Sequence, residues 1–361
     1  MTHRTYGGPE AGHPGQDKLL TGRAVFTEAY AIIPRGTMQD IVTSLLPFWD
    51  NTRAWILARP LSGFSETFSH YLMEVGPGGG STQPEPDPGA EAVLFVTEGA
   101  VDLEYGDTAH LLNAGGYAYL PPGVEWRLKN PGHEPARFHW IRKIYEAVPE
   151  IDVPEPFVSS DGEIDPQPMP DTEGRWSTTR FVNPLDMRHD MHVNIVTLKA
   201  GASIPFAETH VMEHGLYVLE GKGVYRLNQD WVEVEAGDYM WLRAFCPQAC
   251  YAGGPGDFRY LLYKDVNRHA MLRRPGCGAW GPRTLPGVGR RSPSREPLAP
   301  GGDHIRGNPG VGCVVSTHRD PDPGPGFPSS REHCRPSASG GSIWRKKKQG
   351  MPPTSLVSKY I

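Results

Sequence analysis

Residues 214–245 read HGLYVLEGKGVYRLNQDWVEVEAGDYMWLRAF, and residues 92–123 read AVLFVTEGAVDLEYGDTAHLLNAGGYAYLPPG. The two stretches align without a gap, and Gly99 of one falls on Gly221 of the other. Each copy alternates apolar and polar residues over short runs that end at Gly, Asn or Asp, the pattern of short strands joined by turns. Such a series is typical of a sandwich or barrel. The repeat predicts an all-β protein with two tandem β-barrels.

Composition and the repeat together predict five segments. They are an N-terminal arm (1–55), a first barrel (56–150), a linker (151–175), a second barrel (176–270) and a tail (271–361). In the arm, Ile41, Leu45 and Leu46 have the spacing of one short amphipathic helix. The tail holds 15 Gly and 14 Pro in 91 residues without periodicity, and we expect it to be disordered.

Bulk properties narrow the class of protein. The chain has 361 residues, 38% of them hydrophobic and 21% charged, and no apolar run approaches the roughly 18 residues that span a bilayer. The first 20 residues have no apolar core, so we expect no signal peptide and a cytoplasmic protein. Outside the tail the chain carries 21 Lys+Arg against 36 Asp+Glu, which argues against nucleic-acid binding. The five cysteines lack zinc-ribbon spacing, and we expect reduced thiols.

The stretch FAETHVMEHG, residues 206–215, holds four side chains that can bind a metal. On a strand, side chains alternate faces with period two. Glu208, His210 and His214 would then share one face, and Glu213 would point away. Three nitrogen or oxygen donors can hold a metal and leave positions open for substrate. The alternative is a polar patch on a solvated face.

This spacing resembles the first motif of the cupin superfamily, H-x-H-x₃-E-x₆-G, with Gly221 as its closing glycine. The second cupin motif opens with a glycine, here Gly237, and places a fourth ligand eleven residues later. All four ligand positions hold residues able to coordinate, in the order Glu-His-His-Gln in place of His-His-Glu-His. They are Glu208, His210, His214 and Gln248.

That permuted set resembles the (S)-ureidoglycine aminohydrolases, two-cupin enzymes of purine catabolism. The resemblance spans residues 20–268, including ETHVMEHGLYVLEGKGVYRLNQDWVEVEAGDYMW and YLLYKDVNR, and it excludes the tail. It implies those four residues as metal ligands, Tyr225, Tyr260 and Lys264 at the substrate, and a homo-oligomer. The implied reaction, in allantoin degradation, is Mn-dependent hydrolytic deamination of (S)-ureidoglycine to (S)-ureidoglycolate and ammonia. Two oxygen donors and two imidazoles favour Mn²⁺, with Fe²⁺ second.

Strand alternation in YLLYK independently puts Tyr260 and Lys264 on one face. A desolvated lysine can have its pKa lowered toward neutrality, so Lys264 is the candidate proton carrier, with the Glu208 carboxylate as a rival. The alternative for Lys264 is an exposed surface lysine at the end of a strand.

In the first barrel the four ligand positions are all occupied by residues that bind no metal, so we expect no metal site there. They are Pro86, Pro88, Ala92 and Trp126. Two other functions stay open: another metal-cupin enzyme, such as an Fe(II) dioxygenase or an isomerase, and a non-enzymatic ligand-binding cupin.

Overall fold

The computed structural model describes residues 23–38 and 43–265. Within them, regular structure is β-strand apart from short 3-10 helices at Arg35–Thr37, Pro60–Ser62 and Asp161–Glu163. None of the helices in the described ranges is long and apolar enough to cross a membrane. The predicted disordered tail, 271–361, lies outside the described residues.

Strands β1 and β2 belong to the arm, and the next eight build the first barrel. The first ten are β1 (Val25–Phe26), β2 (Tyr30–Ile33), β3 (Trp49–Ala58), β4 (Phe68–Ser81), β5 (Ala90–Glu98), β6 (Ala100–Tyr105), β7 (Thr108–Asn113), β8 (Gly116–Leu120), β9 (Trp126–Lys129) and β10 (Ala136–Ile144). Strands β11 and β12 lie in the linker, and the last eight build the second barrel. These ten are β11 (Phe157–Ser160), β12 (Gln167–Pro168), β13 (Trp176–Arg180), β14 (Met191–Leu198), β15 (His214–Glu220), β16 (Lys222–Leu227), β17 (Asp230–Glu235), β18 (Tyr239–Leu242), β19 (Gln248–Ala252) and β20 (Phe258–Asp265).

The predicted two-barrel repeat is confirmed strand by strand. Strands β6 and β16 begin at aligned positions, and so do β9 and β19. The aligned glycines that precede β6 and β16 both have positive φ, 69° at Gly99 and 78° at Gly221. A Cβ at Gly221 would lie 2.1 Å from the Asp257 carbonyl oxygen. This turn therefore requires glycine in both copies.

The second barrel pairs its strands in the order β18-β15-β20-β14-β13 in one sheet and β17-β16-β19 in the other. The chain segments outside the barrels extend these sheets. The arm strand β2 pairs with β18 of the second barrel, and linker strand β11 pairs with β8 of the first. Each barrel therefore receives an edge strand from sequence that lies outside it, which covers an otherwise unpaired sheet edge.

Each barrel has its own apolar core, and a third core lies between the barrels. In that third core, Phe68 of the first barrel stacks on Tyr263 of the second with ring centroids 3.9 Å apart. The odd-numbered residues of β14, such as Val193, face this core. Its even-numbered residues are therefore free to face the interior of the second barrel.

The described part of the predicted arm helix is not helical. Ser44 pairs with Ala54 as an isolated β-bridge, Leu45 is 85% exposed, and Leu46 packs against the core of the first barrel. Ile41 lies outside the described residues. Strand β3 also runs through the boundary we predicted between residues 55 and 56.

Candidate metal centre

The sequence stretch that suggested a metal site is not one continuous strand. Strand β15 begins at His214, and residues 209–213 are irregular. Glu208 is held separately by a β-bridge to Gln248, with both backbone N–H···O distances at 2.9 Å. The strand that we predicted over this stretch was therefore wrong, because the chain must bend between the bridge and β15.

The bend nevertheless brings three of the four proposed ligands together. The Nε2 atoms of His210 and His214 lie 3.1 Å apart, and the side-chain amide of Gln248 approaches His210 Nε2 at 3.2 Å. Neighbouring ligands of an octahedral ion, each about 2.1 Å from it, lie roughly 3 Å from one another. The separations therefore fit donors that share one ion. Amide orientation is assigned from contacts, and half a turn of the Gln248 amide presents its oxygen.

Glu208 is the fourth proposed ligand and is less closely gathered. Within residues 23–38 and 43–265 no three His, Cys, Asp or Glu side chains are positioned to hold a metal ion. Glu208 Oε2 is nevertheless buried without a hydrogen-bond partner among the described residues. A buried carboxylate oxygen without a partner is costly, and a cation would satisfy it. The donor set therefore fits a metal, provided that Glu208 adjusts.

Burial keeps the two histidine donors in their neutral form. Burial lowers the pKa of His210, and the charge of Lys264 adds to this shift. Burial also places the pKa of His214 well below its ordinary value, and both His210 and Lys264 add to that shift. Burial raises the pKa of Glu208 to about 7, against the opposing charge of Lys264. Neutral imidazole is the form that binds metals.

A cavity in the second barrel opens beside these donors. Glu208, His214 and Gln248 line it, together with Tyr260 and Lys264 of β20. The predicted alternation of YLLYK is thus observed. Burial and, to a smaller extent, the nearby Arg180 cation lower the pKa of Lys264 to about 8, against the opposing effect of Glu208 and Asp265.

Tyr225 does not reach the cavity wall. It is 1% exposed on β16, and its ring meets the Tyr260 ring edge-on with centroids 6.4 Å apart. Tyr225 therefore packs against Tyr260, which itself lines the cavity.

Glu213 turns away from the metal donors, as strand parity predicted, but it has a structural role that the sequence did not reveal. Its buried carboxylate accepts hydrogen bonds from the backbone N–H groups of Glu66 at 2.7 Å and Thr67 at 2.9 Å, and from the Trp241 indole at 2.5 Å. The Glu66–Thr67 loop belongs to the first barrel. The residue before His214 is therefore anchored across the barrel interface.

The corresponding positions in the first barrel also lie around one cavity, but that cavity lacks metal-binding side chains at these positions. Four residues that align with the proposed ligands line one cavity at its mouth: Pro86, Pro88, Ala92 and Trp126. None of these side chains can coordinate a metal through nitrogen or oxygen as histidine or carboxylate does.

Comparison with known proteins agrees with this geometry. The cupin domain model matches residues 71–142 and 194–263, one range in each barrel. The (S)-ureidoglycine aminohydrolase of Arabidopsis thaliana is 34% identical over 250 residues, covering 69% of this chain and 80% of that protein. The chain belongs to the (S)-ureidoglycine aminohydrolase family.

A bacterial relative is similar to about the same degree. The (S)-ureidoglycine aminohydrolase of Escherichia coli K12 is 32% identical over 260 residues, covering 71% of this chain and 96% of that protein. A crystal structure described as a glyoxylate-induced protein from Pseudomonas aeruginosa is 66% identical, with a TM-score of 0.69, covering 75% of this chain and 99% of that one. The resemblance of this sequence to the (S)-ureidoglycine aminohydrolase family is thus confirmed.

Proposed function

We propose that this chain hydrolyses (S)-ureidoglycine to (S)-ureidoglycolate and ammonia. Family membership supports the reaction, and the observation that carries it is the cluster of His210, His214 and Gln248 beside a cavity that also contains Lys264. The cavity thus offers donors for a metal and a cation for a carboxylate substrate. A small polar acid with an amine is the class of substrate that suits both.

Glu208, His210, His214 and Gln248 would hold the metal, with Mn²⁺ as first choice and Fe²⁺ second. Two oxygen donors and two imidazoles suit these ions better than zinc, which favours thiolates. A bound ion would supply open positions that orient the substrate and fix the face that water attacks. For this to occur the Glu208 carboxylate must turn toward the two histidines.

Lys264 is the proposed proton carrier. In the reaction a C–N bond breaks and a C–O bond forms, so water must lose a proton and the leaving amine must gain one. A lysine whose pKa is about 8 is populated in both forms near neutral pH, and it can do both. Glu208, with a pKa of about 7, is the rival carrier. We assign substrate contact to Tyr260 and Lys264. We assign Tyr225 a supporting role in substrate binding, through its contact with the Tyr260 ring.

The biological setting follows from the substrate class. We place the reaction in purine and allantoin breakdown, catalysed by a cytoplasmic homo-oligomer. Cys246 and Cys250 are free and buried, which fits a reducing compartment.

The direct test is ammonia release from freshly generated ureidoglycine by the Mn²⁺-loaded protein. We expect release well above the spontaneous rate, with one enantiomer of ureidoglycolate as product. Oxygen uptake measured in parallel separates this function from an Fe(II) dioxygenase. No ammonia above background from fully loaded protein would reject the proposal.

A further inference from the structure

Asn194 contributes an unsatisfied acceptor to the cavity. Its side chain is 4% exposed and lines the cavity with Lys264, yet its Oδ1 has no hydrogen-bond partner among the described residues. A buried amide oxygen without a partner is unfavourable, because it has lost its hydrogen bonds to water. Such an atom in a native cavity calls for a partner that arrives with a ligand.

Strand register fixes where this acceptor lies. Lys264 stands opposite His214 on one side and His192 on the other, so these residues form one row across the sheet. Asn194, opposite Leu262, belongs to the next inward-facing row. Diagonal neighbours of this kind lie about 7–8 Å apart, within one small ligand of each other. A ligand that reaches the metal donors and Lys264 can therefore also reach Asn194.

The equivalent row of the first barrel is closed by packing. There Tyr71 pairs with Trp140, and the two rings meet edge-on with centroids 5.5 Å apart. In the second barrel the same two positions are Asn194 and Leu262. The smaller pair leaves space and introduces the polar atom only in the barrel that has the metal donors, so the acceptor belongs with the ligand.

The amide oxygen of Asn194 also indicates which end of the ligand lies beside it. An amide oxygen accepts from N–H groups and repels a carboxylate, whereas Lys264 and Arg180 on the same wall attract one. A ureido group carries N–H donors at the end of the molecule opposite a carboxylate. Resting on the function proposed above, the geometry points to Asn194 as the residue that recognises the terminal NH₂ of the ureido group and so determines specificity.

Two stable acids test this assignment without catalysis. N-carbamoylglycine and N-acetylglycine differ only in a terminal NH₂ against CH₃, and calorimetry of the Mn²⁺-loaded protein gives both dissociation constants. We expect the carbamoyl compound to bind on the order of tenfold tighter to the wild type. In Asn194→Leu, which has similar volume but no acceptor, the two affinities should agree within about twofold because only the carbamoyl compound weakens.

Thr197→Val is the matched control, because it alters a hydroxyl on the opposite face of the same strand and should keep the wild-type preference. If Asn194→Leu does not fold, the wild-type ratio still tests the assignment, because a ratio near one overturns it. Equal affinities in the wild type, or a preference that survives in Asn194→Leu, would overturn the assignment. Ammonia release without the preference refutes Asn194 only, whereas the preference without ammonia release refutes the aminohydrolase function only.

Discussion

Lys264 owes its chemistry to where β20 places it. The half-buried amine lines the cavity with Glu208 and Arg180, and its pKa falls to about 8 because burial disfavours the charged form. A surface lysine would stay protonated at neutral pH and could not act as a base. The sequence predicted the face on which this side chain lies, but burial and the surrounding charges, which together set its pKa, depend on the fold.

Replacing Lys264 by methionine should leave the metal in place and remove most of the activity. A positioned acid–base group contributes on the order of 10²–10⁴ in rate, so we expect kcat for ammonia release to fall by at least about a hundredfold. Lys222→Met is the control, because Lys222 makes a surface ion pair with Glu233 far from the cavity wall. A near wild-type kcat in Lys264→Met would transfer the proton-carrying role to Glu208.

At the scale of the element, the loop before β15 depends on the neighbouring barrel. Glu213 fixes its carboxylate to Glu66, Thr67 and Trp241, and its own N–H donates to Asp265 at 2.5 Å, one residue beyond Lys264. Glu213 therefore helps to hold both His214, which follows it, and the end of β20 that carries Lys264. Groups that hold metal ligands in place typically change metal affinity by 10–100-fold when removed.

Glu213→Gln should therefore weaken metal binding without removing a ligand. The neutral amide accepts fewer and weaker hydrogen bonds than the carboxylate, so His214 loses part of its support. We expect the Mn²⁺ dissociation constant, measured by competition with a chelator, to rise on the order of tenfold. Glu220→Gln, exposed at the other end of β15, should leave it unchanged. An unchanged constant in Glu213→Gln would show that the anchor has no bearing on the metal.

Sequence alone predicted the elements unevenly. The repeat located β5–β8 and β15–β18 because turn glycines and alternation are local signals. The loop between Glu208 and His214 was misassigned as strand, since a bend that depends on a bridge to Gln248 leaves no periodic trace. The arm helix failed for the same reason: residues near Ser44 pair with Ala54 of β3, and tertiary pairing overrides a helical spacing.

At the scale of the whole molecule, the barrels share a buried polar pair as well as an apolar core. His70 Nε2 and His139 Nδ1 lie 3.0 Å apart with both side chains fully buried, and Tyr239 of the second barrel meets the His70 ring edge-on. Burial lowers the pKa of His139 to about 3 and places that of His70 well below its ordinary value. Both residues therefore stay neutral in the folded protein.

This pair should make stability fall in mild acid. In the unfolded chain each histidine takes up a proton below its ordinary pKa of about 6.5, while the folded pair does not, so the unfolded state gains with falling pH. Between pH 7.5 and 5.5 this amounts to about 1.4 kcal/mol for each histidine. Urea unfolding should show a smaller loss over that range when both are changed to Gln, and no such difference in His133→Gln, an exposed control. If the free energy of unfolding fell equally with pH in the wild type, the double variant and the His133→Gln control, this explanation would be contradicted.

The sequence could not predict how the barrels are joined. Strand β2 pairs with β18 across some two hundred residues, and such distant pairing leaves no local pattern. The proposed ligands, by contrast, came from the resemblance to the two cupin motifs, in which Glu208, His210, His214 and Gln248 stand at set spacings from Gly221 and Gly237.

The most direct test of the central claim joins metal content to ammonia release in one pair of proteins. The wild type and the double variant His210→Ala/His214→Ala are loaded with Mn²⁺, desalted and assayed with freshly generated ureidoglycine. We predict close to one Mn²⁺ per chain and ammonia release for the wild type, and loss of both in the variant, with unchanged β-sheet content by circular dichroism. Ammonia release at the wild-type rate from the metal-free variant would contradict the account.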